Sequence, residues 1–145
     1  MSRTAAADAL TMLVIRTFRL NGLFLQAAES IARPVGLTAA WWQVLGAVLD
    51  EPLPVSGIAR EMGLARQSVQ RVADLLAQQG LIEYLPNPAH QRAKLVTPTP
   101  DGRAAVAALR ATQHKWANQV SKGIGERPLR EALTVIDKLI TALSD

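Results

Sequence analysis

Arg66, Gln67, Ser68, Gln70 and Arg71 bring together side chains suited to the edges of base pairs. An arginine guanidinium bonds guanine O6 and N7 bidentately, and a glutamine amide does the same to adenine N6 and N7. Ser68, with the first backbone N–H groups of a helix starting here, suits phosphate contacts at the positive end of the helix dipole. These groups act together only if one helix face carries them and another face is buried. Val69, Val72 and Leu76 recur at the spacing of such a buried stripe, Leu75 flanks them, and Gly80 stands where a C-terminal glycine belongs. On the outer face no acid intervenes before Asp74. The solvated side of any amphipathic helix can have this composition, so the neighbouring elements decide what it means.

Upstream, Ser56 is a candidate N-cap for a short helix that carries Ile58 and Met62 inward, and Gly63 supplies the left-handed residue that ends it. Two helices joined by a tight, glycine-containing turn are the cues of a helix-turn-helix. Downstream the period changes from helix to strand. Leu81–Leu85 and Ala93–Thr97 read as strands joined by Pro86-Asn87-Pro88-Ala89-His90-Gln91-Arg92, a loop rich in turn formers. This hairpin is a wing, and it offers Arg92 and Lys94 for phosphate contacts.

The flanking segments are helical. From about Ala5 to Ala32, Leu10, Val14, Leu20, Phe24, Ala28 and Ile31 keep helical spacing, while Met12, Ile15 and Leu23 lie off that stripe. One long helix that is apolar on more than one side implies a partner. Thr38 caps a second helix running from Ala39 to Leu49, ended by Pro52 and Pro54. Thr99-Pro100-Asp101 starts a long helix reaching about Val120, because proline fits the first helical position and an acid suits the positive dipole end. Gly123 and Gly125 break it, and a last helix follows Pro128 with Leu129, Leu133, Ile136, Ile140 and Leu143 in heptad-like alternation.

Composition removes competing classes. The 145 residues are 49% hydrophobic and 19% charged, a balance expected of one globular domain and not of a disordered chain. With no cysteine, disulfide scaffolds, thiol nucleophiles and Cys-ligated zinc are excluded, and two histidines leave only carboxylates for most ligand sets, so no metal and no cofactor are expected. No G-x-S-x-G or P-loop is present, and Gly123 and Gly125 lack the third glycine of a dinucleotide fingerprint, so catalytic residues are not expected. No apolar run approaches the ~18 residues of a membrane span. The chain reads as cytoplasmic, with a net charge of +4 that favours an anionic partner if concentrated on one face.

From Val55 to Gly102 the run of Ile58-Ala59-Arg60, Met62-Gly63-Leu64, Arg66 to Val72, Gln79-Gly80-Leu81-Ile82, Asn87-Pro88, Arg92 to Val96 and Thr99-Pro100-Asp101-Gly102 resembles the winged helix-turn-helix of the MarR family of bacterial transcriptional regulators. The resemblance implies a mainly α fold with a small β-hairpin wing. It treats residues 1–145 as a single domain, with a DNA-binding lobe at about 37–100 and dimerisation helices at about 5–33 and 101–145. It further implies a homodimeric repressor binding pseudo-palindromic double-stranded DNA, with Arg66, Gln67, Ser68, Gln70 and Arg71 on the recognition helix and Arg92 and Lys94 on the wing. A small aromatic or phenolic effector is a further implication, with Phe18, Trp41, Trp42 and His114 as pocket candidates and Arg16 and Arg19 placed to grip a carboxylate. Consecutive helical residues point about 100° apart, so Trp41 and Trp42 cannot both face one cavity. Two positions depart from the family pattern. Ala65 stands where a hydroxyl cap is usual, and His90 stands where an aspartate usually braces the wing arginine. A winged-helix module that binds protein partners instead of DNA remains the alternative reading.

Overall fold

In the computed structural model, which describes residues 2–144, the order of elements is helix, helix, short strand, two helices, two strands and two helices. Thr4 is extended and its hydroxyl accepts the Ala7 N–H at 3.0 Å, which starts α1 (Ala5–Ala32). A single 3-10 turn at Arg33–Val35 and a left-handed Gly36 end that segment. Thr38 then caps α2 (Ala39–Ala47) by accepting the Trp41 N–H at 3.1 Å, and the Glu29 carboxylate accepts the Ala39 N–H at 2.9 Å. The second helix thus ends two residues before the expected Leu49, well ahead of the prolines.

The segment after α2 differs from the sequence reading. Leu53 and Pro54 form β1 (Leu53–Pro54), and α3 (Val55–Met62) begins at once, with Pro54 in the cap position and no side-chain cap. Ser56 therefore lies inside the helix. Pairing of β1 with the wing carries the chain straight into the helix, which leaves no room for a serine cap. Gly63, at φ 64°, ends α3 as expected.

α4 (Arg66–Gln78) follows Ala65, whose extended backbone has cap geometry but no side-chain acceptor. Its buried stripe is Val69, Ala73 and Leu76, while Val72 is only half-buried and Leu75 is exposed. The small Ala73 lets α4 lie close on its neighbours, and this rotates the buried face slightly from the one that larger residues indicate.

β2 (Ile82–Leu85) and β3 (Leu95–Pro98) form the hairpin, and β3 sits in the centre of a three-stranded antiparallel sheet of order β1-β3-β2. The register pairs Tyr84 with Val96 and Ile82 with Pro98. α5 (Pro100–Lys122) starts against the sheet: the Thr99 hydroxyl donates to the Gly80 carbonyl at 2.6 Å and accepts the Gly102 N–H at 3.1 Å.

Two compact units are present, one ending at Leu109 and one beginning at Arg110, so the boundary falls within α5. The core of the first unit joins Val44, Leu45 and Val48 of α2, Ile58 of α3, Val69 and Leu76 of α4, Val96 of β3 and Leu109 of α5. Each buried side chain of this size stabilises by about 1.5–3 kcal/mol relative to exposure. Along α1 only Ile31 and Ala32 are buried, while Leu10, Met12, Ile15, Leu23 and Phe24 are exposed. The second unit holds the end of α5 and α6 (Glu126–Leu143), joined through a left-handed Gly125. Pro128 lies within the first turn of α6, two residues after its start; the missing N–H has no helical partner there, so the helix tolerates it. Leu133, Ile136, Ile140 and Leu143 of α6 are exposed. No helix among the described residues is long and apolar enough to cross a membrane.

Candidate nucleic-acid interface

The wing folds back beside α4, and between them lies a groove of about 700 Å³. Arg66, Gln67 and Gln70 line one wall, while His90, Arg92 and Lys94 line the other. Residues from two separate stretches of sequence thereby share one surface. Ser68 and Arg71 are exposed on α4 outside the groove. At about 100° per residue, Gln67 and Arg71 point most directly away from the buried Val69, Ala73 and Leu76, and Arg66 and Gln70 face the wing.

The two walls of the groove bring unpaired cations from α4 and from the wing onto one surface. Among the described residues the ion pairs are Arg3–Asp8, Arg33–Glu29 and Arg130–Glu126. Arg66, Arg71, Arg92 and Lys94 take part in none of them. Their charges remain available to an anion, whereas a guanidinium already paired with a carboxylate would first have to be released. At its N-terminus α4 keeps unsatisfied N–H groups, because Ala65 supplies no acceptor. Such a helix end favours a phosphate oxygen.

The wing tip is organised by its own side chains. The Asn87 side-chain oxygen accepts the Ala89 N–H at 3.0 Å, and the His90 N–H donates to the Asn87 carbonyl at 3.1 Å. His90 Nδ1 then accepts the Ala93 N–H at 3.2 Å, on the far side of Arg92. At this position an imidazole supplies the acceptor function that a carboxylate would bring, without its negative charge beside the arginine.

Gln70 is not free. Its Nε2 donates to Asp74 Oδ1 at 3.0 Å and to the Tyr84 hydroxyl at 3.1 Å, and that hydroxyl donates to Asp74 Oδ1 at 2.5 Å. Burial pushes the Tyr84 phenol up to about 12, and the hydrogen bond and negative charge of Asp74 act in the same direction against a smaller opposing effect of Gln70. The sequence reading passed over Tyr84 and Asp74 as groove residues. Two signals point to them in retrospect: Asp74 is one helical turn beyond Gln70, and Tyr84 alternates onto the same strand face as the buried Ile82.

The effector candidates are not gathered in this way. Phe18 is 73% exposed on α1, Trp41 and Trp42 are half-buried neighbours on α2, and His114 is exposed in the second unit. A shallow groove of about 680 Å³ along α1 includes Met12, Arg16 and Arg19 but neither Phe18 nor the tryptophans. No group of three or more His, Asp or Glu side chains able to hold a metal occurs among the described residues.

Residues 35–93 match the MarR family, a span that covers α2, the helix-turn-helix and most of the wing. The uncharacterized protein Rv2011c of Mycobacterium tuberculosis is 34% identical over 137 residues, covering 94% of this chain and 96% of its own. The fold recurs in CouR of Rhodococcus jostii RHA1, solved with p-coumaroyl-CoA bound, at a TM-score of 0.77 and 22% identity over 96% of each chain. It recurs as well in the M. tuberculosis transcriptional regulator MosR in complex with DNA, at a TM-score of 0.72 and 22% identity, over 91% of this chain and 98% of that one. Fold, groove and sequence agree: the chain belongs to the MarR family, whose characteristic unit is the winged helix-turn-helix.

Proposed function

We propose that the protein is a sequence-specific regulator of transcription that binds double-stranded DNA as a homodimer, α4 entering the major groove and the wing following the adjacent backbone. The observation that carries this reading is the groove in which Arg66, Gln67 and Gln70 meet Arg92 and Lys94, with none of its cations held in an ion pair among the described residues. Arg71 and Gln67 are the base readers, and Ser68, Arg92 and Lys94 hold phosphates. Catalysis plays no part in this reading.

Exposed apolar side chains on both terminal helices supply the dimer contact, since patches of this kind on a protomer mark an interaction surface. A two-fold dimer sets its recognition helices about one DNA turn apart, ~34 Å, and so requires a pseudo-palindromic site. Binding at such a site represses when it overlaps a promoter. A small aromatic effector that releases the DNA completes the reading, with Trp41 or Trp42 as its contact. The phenolic ligand of CouR supports that class of compound, and quenching of tryptophan fluorescence by one phenolic acid among a panel would test it.

Selection of duplexes from a random pool by the purified protein, at two salt concentrations, tests the central part. The proposal expects an enriched pseudo-palindrome and affinity that falls steeply with salt. A folded dimer that enriches nothing would instead be a protein-binding winged helix.

A further inference from the structure

The inner and outer ends of the hairpin are held differently. Ile82 and Val96 are buried, which fixes the inner end in the core that also takes Val69 and Leu76 of α4. The strand ladder ends where Leu85 pairs with Leu95, and Arg92 and Lys94 lie beyond it. The hydrogen bonds made by Asn87 and His90 stay within the tip. Among the described residues, the hydrogen bonds that join the hairpin to α4 all end on the Tyr84 hydroxyl, which donates to Asp74 Oδ1 at 2.5 Å. Tyr84 precedes the last paired residue of β2, so it is the outermost point at which the sheet is tied to the helix. Asp74 lines the groove with Arg66, Arg92 and Lys94, yet it joins no ion pair among the described residues. On a surface that meets phosphates, its charge alone would oppose binding. Its partner is a phenol that keeps its proton well above neutral pH, so the contact persists there.

We propose that the hydrogen bond from Tyr84 to Asp74 is a brace that fixes the angle between the wing and α4, so that Arg92 and Lys94 reach phosphates while α4 lies in the major groove. Tyr84 and Asp74 are positioning residues, acting on DNA only through the wing. Without the brace the tip pivots about the buried Ile82 and Val96, and binding must order it; that ordering cost lowers affinity. Phosphate contacts carry no sequence information, so the loss is the same on any duplex. This inference rests on the proposal that the groove meets DNA.

The test is a mutant cycle read as affinity for the selected duplex and for a scrambled one. Tyr84→Phe, which keeps the ring of a partly exposed residue, is made in the wild type and in a variant carrying Arg92→Ala and Lys94→Ala. In the wild type it is expected to weaken binding about fivefold on both duplexes. In the variant without wing cations the cost is expected to fall below about twofold, because the brace then has nothing to place. Asp74→Asn and Asp74→Ala supply an independent comparison: both remove the charge, but only asparagine keeps an acceptor for the phenol. Alanine is expected to bind DNA about fivefold more weakly than asparagine. An equal loss from Tyr84→Phe in both backgrounds would overturn the proposal and assign Tyr84 to the fold or to direct DNA contact. No loss, a loss confined to the selected duplex, or equal affinities for the two Asp74 variants would overturn it too, and in each of these cases DNA binding itself would stand. If wild type enriches no sequence, the DNA-binding reading fails and the proposal falls with it.

Discussion

Replacing Arg92 with alanine isolates the contribution of the wing. Its guanidinium lines the groove opposite Arg66 and belongs to no ion pair among the described residues, and the side chain is exposed. The substitution should therefore leave stability within about 0.5 kcal/mol of wild type, as for surface changes without a specific role. Its effect on binding is expected in the salt dependence. A two-fold dimer carries two copies, and each neutralised phosphate contributes ~0.9 to the slope of log affinity against log salt, so losing both reduces the slope by about 1.8. Between about 50 and about 200 mM salt, this difference changes the ratio of wild-type to variant affinity by about twelvefold. Fluorescence anisotropy of a labelled duplex across that range measures both slopes, and a non-specific duplex should show the same reduction, because phosphates carry no sequence. An unchanged slope would refute the assignment of Arg92 to phosphate. A reduction near 0.9 would refute the two-fold placement of the wings.

Gly102→Ala should destabilise the fold by about 3 kcal/mol in urea denaturation, the upper end for overpacking, since the new Cβ would lie 2.0 Å from the Leu81 carbonyl oxygen that Thr99 N–H also holds. A loss below about 1 kcal/mol would show that the helix start shifts freely. Ala65→Ser places an acceptor on a backbone already extended at φ −72° and ψ 141°, and should raise stability by about 1 kcal/mol. An unchanged urea midpoint would show that these N–H groups need no cap. Tyr84 is the only tyrosine, so its ionisation can be followed directly by absorbance, with a midpoint near 12 expected in place of 10.0. Because the folded value lies above the unfolded one, the contact stabilises fully below pH 10.0 and is lost as pH rises toward about 12. Asp74→Ala should bring the midpoint down part of the way, leaving the larger effect of burial in place.

Most of the frame was legible because it rests on local signals. Thr38 and Thr99 cap or start their elements, Gly63 and Gly80 take the left-handed conformation, and the period changes at the wing where the strands form. Strand β1 was missed, since two residues ending in proline have no period and owe their conformation to pairing with Leu95 and Val96 about forty residues on. Ser56 was misplaced for the same reason: the pairing, not a cap, sets the start of α3. Ala73 escaped notice in the buried stripe because a small residue gives a weak hydrophobic signal even at a position with no exposure. On the candidate site, the polar face of α4 and the wing cations were readable from residue type and spacing. The engagement of Gln70 was not, since it depends on a tyrosine 14 positions away reaching across from β2.

Arg71 tests the central claim, that α4 reads base edges, most directly. The measurement compares wild type and Arg71→Ala on the selected duplex and on a scrambled duplex of the same length and composition, at one salt concentration. The account predicts that the variant loses about 1–3 kcal/mol on the selected duplex and very little on the scrambled one, the signature of a lost bidentate base contact. An equal loss on both duplexes, or none on either, would contradict it.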